Sequence, residues 1–415
     1  MKLEIKRQDF LKAWQTAEKI AVSKAITEIV NSIRISTAED GTVTLEATDL
    51  KTSVKCKAKG VEVIEPGTAV VPVLLLGGML KKITCDTLTI EVKDNRGMLF
   101  AEGSKSRFSV VPLEAFPKIP ESAGAEAVCE IKAKVLSDTI IRGGSASSQP
   151  QDFPKYLGAC LMSINDDSLK IVSTDGKRLA VSKAMCENVF RKEDILIPSN
   201  PLKELAKQLS GDSDVKIISD GTIVWFALED TEFSIRRIDA SFPDYERILN
   251  STVAAKLQIS CDDLVSVVER VDIVAKTTVP HIMVMDMNPD GNMRIYARSP
   301  EGVARESLKA DITGGPMQVG FNAAFFLEGL KALGSGDIVI EFSGIEEQTR
   351  MMRNDSDDFL YMLMPSRLSP MDIIDDELDD NNDVPEDTHE DTHEDMPEDV
   401  HEDMPDDMHE GEENF

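Results

Sequence analysis

A threefold internal repeat is the feature of this sequence that most constrains its fold. The segment Asp40–Asp49 returns as Asp166–Asp175, 126 residues later, and a third version, Gly291–Ala297, follows the second at a spacing of 124. The pair Phe116-Pro117 returns as Phe242-Pro243, again at a spacing of 126. Similarity at a fixed period indicates repeated structural units rather than one large core.

We predict three domains of similar size and a tail. The expected boundaries are 1–125 for the first domain, 126–253 for the second, 254–368 for the third and 369–415 for the tail. Three tandem units suggest a quasi-symmetric arc with equivalent helices along one curved surface. Complementary ends would then let two copies close head to tail into a ring.

Each predicted domain carries two runs with the apolar spacing of an amphipathic helix. The first of each pair lies at Asp9–Ala21, Lys132–Ile141 and Asp262–Ala275, and the second at Val73–Ile83, Pro201–Leu209 and Ala323–Leu333. Asn200 is predicted to cap the helix that follows it, with Pro201 at the first helical position. Short segments between the runs, such as Leu88–Val92 and Val215–Ile218, have the composition of strands. The pattern predicts an α+β fold in which two helices of every domain pack on one face of an antiparallel sheet.

The formal net charge of −30 is concentrated at one end of the chain. Residues 369–415 hold 22 Asp and Glu and no Lys or Arg, which leaves 53 acidic and 45 basic residues, a net charge of −8, for residues 1–368. A segment with so much charge and so few apolar residues is predicted to stay disordered and solvated. A second hypothesis is that the tail acts as a tethered anion that competes for basic surfaces or for a partner pocket.

Neither a metal site, a cofactor nor a disulfide framework is predicted. The tail histidines His389, His393, His401 and His409 lack the fixed geometry that a specific metal site needs. The cysteines show no CxxC spacing and are Cys56, Cys85, Cys129, Cys160, Cys186 and Cys261. The sequence has no run of eighteen apolar residues, so no membrane span is predicted. The first residues also lack a signal-peptide apolar region. We expect a cytoplasmic protein.

Enzymatic motifs are not found in the sequence. There is no P-loop, HExxH or GxSxG pattern, and His281 is the one histidine outside the tail. A non-catalytic protein is therefore predicted. Two alternatives remain open: an enzyme that uses Asp175 and Asp244 as a carboxylate pair, and a peptide-binding adaptor that never encircles a partner.

Three segments resemble a known family. Thr174–Val181 (TDGKRLAV), Phe242–Leu249 (FPDYERIL) and Met364–Leu368 (MPSRL) are similar to the bacterial DNA polymerase sliding clamp, the polymerase III beta subunit. The similarity covers residues 1–368 and includes the order of elements. It implies a DNA clamp with three domains per chain and two chains per ring, with helices around a central hole and sheets outside. It also implies a DNA replication role, in which the ring encircles duplex DNA and confers processivity on the polymerase.

A clamp of this kind needs only weak, sequence-independent attraction to the phosphate backbone. The predicted DNA-proximal residues are Lys12, Lys19, Lys81, Lys82, Lys134, Arg142, Lys203 and Lys207 on helix-period runs, with Lys6, Arg7, Lys132, Arg270 and Lys331 as further candidates. Lys24, Gln149 and Gln151 resemble family positions near DNA. Leu74 and Ser199 stand where relatives often carry a basic residue, which predicts a less positive lining.

The resemblance also implies a groove for a short linear peptide shared by the polymerase III alpha subunit, the clamp loader and other clamp-binding proteins. The corresponding residues are Leu157, Thr174, Gly176, Lys177, Arg178, Leu179, Pro243, Arg247, Ile248, Met362, Met364, Pro365, Ser366, Arg367 and Leu368. An apolar slot would take leucine and phenylalanine anchors, and methionines suit a pocket that serves several partners. Ser366 stands where the family commonly has methionine.

The homodimer seam is expected between the first domain of one chain and the third domain of the other. Phe108 and Val110 on an edge strand match the family's seam, as do Ile273 and Val274 at a helix end. The alternative is that these four residues are buried within their own domains.

Overall fold

Antiparallel strand pairing organises the chain, and helices cover the sheets. The computed structural model describes residues 1–21, 30–149 and 153–374. Every helix and strand reported below lies within Met1–Ile373. The predicted α+β fold is confirmed.

The first domain begins with a strand that runs directly into a helix. Its elements are β1 (Lys2–Lys6), α1 (Arg7–Ala21), β2 (Ser32–Thr37), β3 (Val43–Thr48), β4 (Thr52–Ala58), β5 (Val61–Glu65), β6 (Thr68–Pro72), α2 (Val73–Lys82), β7 (Thr87–Lys93), β8 (Arg96–Ala101) and β9 (Ser104–Ser109). Helix α1 packs on β3 and β4 and against α2. Its buried face is formed by Phe10, Trp14 and Ala17, whose spacing is that of one helix side.

The second domain repeats this order. Its elements are β10 (Glu126–Lys132), α3 (Ala133–Gly143), β11 (Ala159–Asn165), β12 (Ser168–Thr174), β13 (Arg178–Met185), β14 (Asn188–Val189), β15 (Glu193–Pro198), α4 (Ser199–Ala206), β16 (Asp214–Ser219), β17 (Ile223–Ala227), β18 (Thr231–Arg236) and the short helix α5 (Glu246–Leu249). Helix α3 packs on β12 and β13 and against α4, which is the arrangement of α1 and α2 in the first domain.

The third domain follows the same plan. Its elements are β19 (Ala255–Ser260), α6 (Cys261–Ala275), β20 (Ile282–Met287), β21 (Asn292–Ser299), β22 (Gly302–Lys309), β23 (Asp311–Gly314), β24 (Met317–Asn322), α7 (Ala323–Leu333), β25 (Asp337–Phe342), β26 (Thr349–Arg353) and β27 (Phe359–Leu363). Helix α6 packs on β21 and β22 and against α7. The prediction of two helices packed on the sheet of each domain is therefore confirmed, and the short α5 is an additional helix of the second domain.

The repeat extends to individual hydrogen bonds. The hydroxyl of Thr48 donates to the backbone carbonyl four residues later at 2.9 Å, and that of Thr174 does the same at 2.7 Å. The next residue in each case, Asp49 or Asp175, accepts two backbone N–H bonds of 2.6–3.0 Å. The sequence repeat thus encodes the same turn twice, 126 residues apart.

Helix α4 differs from its predicted start. The prediction of Asn200 as the N-cap is wrong, because the helix begins at Ser199 and no side-chain cap is present at Pro198. Strand β15 continues through Pro198, which pairs with Ala159, so the helix starts directly where the strand ends. Pro201 then falls in the first turn, where its missing N–H removes no helical hydrogen bond.

Strand pairing crosses both domain boundaries. The four sheets have the orders β5-β1-β7-β8-β9, β14-β10-β16-β17-β18-β4-β3-β2-β6, β15-β11-β12-β13-β27-β26-β25-β19-β23 and β22-β21-β20-β24. Strand β4 of the first domain pairs with β18 of the second, and β13 of the second pairs with β27 of the third. The two nine-stranded sheets therefore each belong to two domains.

Two adjacent glycines in α2 test how tightly the first domain is packed. A Cβ on Gly77 would lie 2.6 Å from Nε1 of the fully buried Trp14, whereas a Cβ on Gly78 would meet nothing within 4 Å. We expect Gly77→Ala to lower the free energy of unfolding by about 1–3 kcal/mol through overpacking. Gly78→Ala should raise it by about 0.5–1 kcal/mol, because alanine restricts the unfolded chain. Denaturant unfolding of the two variants measures both values, and equal effects would contradict this packing.

Candidate partner-binding and DNA-facing surfaces

The junction between the second and third domains is centred on a buried arginine. Arg178 begins β13, and its guanidinium Nε donates to Asp175 at 2.8 Å. Its Nη1 donates to the Tyr361 hydroxyl at 3.1 Å and to the Glu328 carboxylate, and the guanidinium lies 4.1 Å from the centre of the Phe325 ring. Tyr361, Glu328 and Phe325 belong to the third domain, so Arg178 fastens β13 to β27 and α7.

Electrostatics explain why this arginine stays charged. Burial alone would lower the pKa of Arg178, but Tyr361 and Glu328 hold it above its ordinary value. Burial in turn raises the pKa of the Tyr361 phenol. Tyr361 therefore keeps its proton, which it donates to the Phe325 carbonyl at 3.0 Å.

A small apolar cluster lies beside this junction and is separate from the two main cores. Its buried members are Val172, Leu179, Tyr245 and Met362, and the partly buried Leu161, Val181, Phe242 and Leu249 pack against them. Leu179 and Met362 face each other across the β13–β27 pair. Strands of two domains and the segment around α5 thus supply one apolar surface.

Aromatic rings extend this cluster. The Phe242 ring contacts Tyr245 and Tyr156, with centroids 6.2 and 5.8 Å away. Burial raises the pKa of Tyr245 to about 12. Tyr156 precedes Leu157, which is half-buried and whose carbonyl accepts a bond from the Ser148 N–H at 2.9 Å. The Tyr156–Phe242 contact thus joins the segment before β11 to the segment before α5.

The segment after β27 continues along the junction. The backbone N–H of Met364 donates to the Lys177 carbonyl at 2.9 Å, and that of Ser366 donates to the Gly320 carbonyl at 2.8 Å. A Cβ on Gly320 would lie 2.5 Å from the Leu368 side chain and 2.7 Å from the Ser366 carbonyl oxygen. Glycine at this position therefore lets the segment from Ser366 to Leu368 pack directly on β24.

Exposed side chains surround the cluster. Ile248 and Met364 are exposed apolar residues, and the Ile248 carbonyl accepts a bond from Gln348 Nε2 at 2.9 Å. Arg247 pairs with Asp244 at 2.7 Å, and Arg367 pairs with Glu346 at 3.2 Å. Both arginines are more than four-fifths exposed, so these pairs contribute little to stability and leave the cations accessible to a ligand.

The predicted groove residues differ in burial. Arg178, Leu179 and Met362 are buried and shape the surface from beneath, as Thr174 does through its turn. The exposed or half-buried members are Leu157, Gly176, Lys177, Pro243, Arg247, Ile248, Met364, Pro365, Ser366, Arg367 and Leu368. Sequence reasoning missed Val172, Phe242 and Tyr245, although the aromatic residues flanking Pro243 were a signal for the last two.

Among the described residues, the predicted DNA-proximal cations lie on the helices or, for Lys207, directly after α4, and most are paired with nearby carboxylates. The Nζ–carboxylate distances are 3.5 Å for Lys12 with Asp9, 2.7 Å for Lys81 with Glu18, 2.6 Å for Lys134 with Asp138 and 2.6 Å for Lys207 with Glu204. Lys19 and Lys82 are exposed, and among the described residues neither has a carboxylate within ion-pair distance. The pairs of Lys12, Lys134 and Lys207 are solvated on both sides, so these lysines can exchange a carboxylate for a phosphate at low energy, whereas the Glu18 carboxylate beside Lys81 is largely buried.

Two of the predicted cations are held more firmly. Arg142 Nη1 donates to Asp358 at 3.0 Å and so links α3 to the third domain. Lys203 Nζ donates to the Ser147 hydroxyl at 2.8 Å, and burial lowers the pKa of Lys203 from its ordinary value. Gln149 is exposed. Lys24 and Gln151 lie outside the described residues, as does the tail from residue 375 onward.

The structure also describes the further candidate cations and the two positions, Leu74 and Ser199, at which relatives often carry a basic residue. Lys132, Arg270 and Lys331 each lie 2.7 Å from a carboxylate, on Asp214, Glu306 and Glu269 respectively. Lys6 is exposed, and Arg7 Nε is buried with no hydrogen-bond partner among the described residues. Ser199 is fully buried at the start of α4, whereas Leu74 is 68% exposed on α2.

Charge is distributed unevenly over the helices. Helix α6 carries Asp262, Asp263, Glu269 and Asp272 against Arg270 alone, whereas α2 carries Lys81 and Lys82 and no acidic residue. The helices of the first domain are therefore the more attractive to a polyanion.

The predicted seam residues fall into two groups. The Phe108 side chain is buried in its own domain, where its ring covers Gly97 across the β8–β9 pair. Val110 and Val274 are half-buried against the cores, and Ile273 is 58% exposed. Phe108 can therefore contribute to a seam through the backbone of edge strand β9 and not through its ring.

Within residues 1–21, 30–149 and 153–374, no group of three His, Cys, Asp or Glu side chains is arranged to hold a metal ion. No helix in the same part of the chain is long and apolar enough to cross a membrane.

Solved structures define the class of fold. A DNA polymerase sliding clamp from Bacillus subtilis superposes with a TM-score of 0.84 at 22% identity, over 89% of this chain and all of that one. A sliding clamp from Pseudomonas aeruginosa, solved with bound griselimycin, gives 0.82 at 25% identity with the same coverage. The fold is that of a sliding clamp.

Sequence comparison gives the family. Models of the N-terminal, central and C-terminal domains of the DNA polymerase III beta subunit match residues 1–120, 130–244 and 246–367. The beta sliding clamp of Staphylococcus epidermidis is 25% identical over 380 residues, 88% of this chain and 99% of that one, and the Vibrio cholerae clamp is 26% identical over 372 residues, 89% and 100%. The chain belongs to the DNA polymerase III beta subunit family, the beta sliding clamps, which are non-catalytic processivity subunits of DNA replication. Membership implies DNA and a polymerase as partners.

Arg178 provides a test of the domain junction. Arg178→Ala should lower the free energy of unfolding by about 3–5 kcal/mol, because it leaves the nearly buried Asp175 carboxylate without its charged partner. Lys177→Ala, at the exposed neighbour, should change it by less than about 0.5 kcal/mol. Guanidinium unfolding followed by tyrosine and tryptophan fluorescence measures both, and similar values for the two variants would rule out the role assigned to Arg178.

Proposed function

We propose that two copies of this chain close head to tail into a ring around duplex DNA. The support comes from equivalent strands at the domain boundaries. Strand β4 pairs with β18, and its second-domain equivalent β13 pairs with β27. The third-domain equivalent of β4 and β13 is β22, and the first-domain equivalent of β18 and β27 is β9. Both β22 and β9 lie at a sheet edge. A β22–β9 pair between two chains would repeat the internal junctions and leave neither edge open.

The proposed domains are 1–125, 126–253 and 254–368, each of which begins just before the strand that leads into its first helix. The seam would place Phe108 and Val110 of one copy opposite Ile273 and Val274 of the other.

We propose a cytoplasmic location, in keeping with a role on chromosomal DNA.

The helices would line the hole of this ring. The lining cations Lys12, Lys19, Lys81, Lys82, Lys134, Arg142, Lys203 and Lys207, together with Lys24, Gln149 and Gln151, would face DNA. The ion pairs of Lys12, Lys81, Lys134 and Lys207 support a weak interaction, because each phosphate contact of these lysines must replace a carboxylate contact. Weak contacts permit sliding, and the closed ring prevents dissociation. Because α6 is acidic, DNA would lie closer to the helices of the first domain than to α6.

The apolar cluster at the second junction would bind partner peptides. The exposed Ile248 and Met364 flank the buried Leu179 and Met362, which offers apolar anchors a surface made by two domains. The proposed partners are the polymerase III alpha subunit, the clamp loader and other proteins with the clamp-binding peptide. Arg247, Arg367 and Lys177 would orient the peptide through its polar groups.

Topological retention is the direct test of the ring. After loading onto a nicked plasmid, the full chain should stay with the DNA through gel filtration and should be lost when the plasmid is cut once. Bulky protein blocks at both ends of the linear DNA should restore retention, because they stop a ring from sliding off. Equal release from circular, linear and end-blocked DNA would exclude encirclement.

The peptide surface has its own test. Ile248→Asp should weaken binding of a labelled peptide with leucine and phenylalanine anchors by at least about tenfold, because a charge replaces an apolar contact. Met185→Asp is the matched control, since Met185 is an exposed apolar residue of the second domain outside the cluster. Fluorescence anisotropy gives both dissociation constants. Unchanged affinity for Ile248→Asp would place the peptide elsewhere.

A further inference from the structure

A positively charged cavity lies at the junction between the first and second domains. Its volume is about 210 Å³, and its lining comes from the β3–β4 turn, the segment after β9, and strands β17 and β18. Three of the lining residues are the exposed cations Lys51, Lys118 and Arg236, and none of the described lining residues is acidic. This cavity therefore attracts anions, although residues 1–368 carry a net charge of −8.

The internal repeat relates this cavity to the apolar cluster at the second junction. Ser53 faces Ser234 across the β4–β18 pair, and both serines line the cavity. Leu179 faces Met362 at the same position of the β13–β27 pair, because Ser53 and Leu179 each lie five residues after the threonine of the repeated turn. Two serines thus take the places of the two buried apolar residues that the second junction offers to a partner.

The edge of the cavity follows the same correspondence. The Arg236 N–H donates to the Lys51 carbonyl at 3.0 Å, and the Met364 N–H donates to the Lys177 carbonyl at 2.9 Å. Arg236 therefore occupies the position of Met364, so a cation at the first junction takes the place of an exposed apolar side chain at the second. The two junctions have the same backbone but opposite chemistry.

The cations of this cavity are not neutralised by the protein. Among the described residues, no carboxylate lies within ion-pair distance of Lys51, Lys118 or Arg236, whereas the helix lysines Lys12 and Lys134 each have one. Three like charges around one cavity repel one another, and a bound anion relieves that repulsion.

Leu50 gives the cavity an apolar wall beside its cations. It is 66% exposed and has a φ of 74°, a left-handed conformation that leucine rarely adopts, whereas the equivalent residue of the second junction is Gly176. Pro117 and Pro120 line the same cavity. A matching ligand therefore combines acidic groups with an apolar residue.

The tail of this chain has that combination. Residues 369–415 hold 22 acidic and no basic residues. Three short units of the tail place an apolar residue and a proline directly before two acids: Val384-Pro385-Glu386-Asp387, Met396-Pro397-Glu398-Asp399 and Met404-Pro405-Asp406-Asp407. A nucleic acid matches less well, because none of the described lining residues is aromatic and could stack on a base.

We infer that these apolar-Pro-acid-acid units of the tail bind the cavity at the first junction, with the acids on Lys51, Lys118 and Arg236 and the apolar residue on Leu50. Residues 375–415 can span up to about 140 Å when extended, several times the roughly 35 Å diameter of a domain of this size. The bound tail neutralises part of its own charge, which reduces its repulsion of DNA phosphates. The inference goes beyond the proposed ring and does not require it, because the cavity and the tail belong to a single chain.

Cross-linking of the full chain tests this contact. A carbodiimide joins a lysine to a carboxylate that touches it, and mass spectrometry identifies the pair. At about 0.05 M NaCl, Lys51 and Lys118 should cross-link to residues 384–407 at least about fivefold more than the exposed Lys93 and Lys183, which do not line the cavity. The yield should fall at least about tenfold at about 0.5 M NaCl. Arg236→Glu should lower it at least about fivefold while leaving both reactive lysines in place.

A competition experiment measures the affinity. In the full chain, replacing the acids of the three units by Gln and Asn should free the cavity, so that a labelled peptide of residues 392–407 binds at least about fivefold more tightly than it binds the wild-type chain. In that background, Lys51→Glu/Lys118→Glu should weaken peptide binding at least about tenfold. Lys93→Glu/Lys183→Glu makes the same change in charge away from the cavity and should weaken binding by less than about threefold. Fluorescence anisotropy gives all four dissociation constants.

The inference is overturned if the cavity lysines cross-link to the tail no more than Lys93 and Lys183 do, or if the two double variants weaken the peptide equally. Cross-links mainly to Lys177 would also overturn it, because they would place the tail on the apolar surface of the second junction. None of these results bears on ring closure, which retention on circular DNA measures separately.

Discussion

Backbone hydrogen bonding across the domain boundaries is the constraint on which the rest of this structure depends. Pairing of β4 with β18 and of β13 with β27 makes neighbouring domains share a sheet. A shared sheet fixes both the distance and the twist between its strands, so the helices of successive domains keep the same relation to one another. A flexible linker between independent sheets would not hold them in this way. The regular placement of the helix pairs follows from this pairing.

The same pairing creates the proposed partner surface. Leu179 and Met362 meet because β13 and β27 are adjacent, although the two residues are far apart in sequence. Because of this pairing, the Arg178 guanidinium bonds both Asp175 on its own hairpin and Tyr361 and Glu328 in the next domain. A partner that binds the apolar cluster therefore contacts two domains at once. The surface depends on the junction remaining intact.

The helix faces and the junctions meet different physical requirements. Junctions are held by backbone pairing and buried contacts, which are strong and specific. The helix surfaces carry solvated ion pairs such as Lys134 with Asp138, which can exchange partners at low energy and would favour no base sequence. A ring that slides requires this combination, since the protein–protein contacts must outlast the contacts with DNA.

The sequence alone determined the number of domains, the two helices of each, and the position of the excess negative charge. These properties are local, because the 126-residue spacing, the apolar period of α1 and the composition of residues 369–415 can each be read within one segment. It also indicated the proposed partner surface, through motifs at Thr174, Phe242 and Met364. Only the tertiary structure decided which edges pair, that Arg178 and Phe108 are buried, and that Leu74 and Val303 remain exposed. Burial and pairing depend on a segment's neighbour in space, and a neighbour more than a hundred residues away leaves no trace in the local periodicity of either segment.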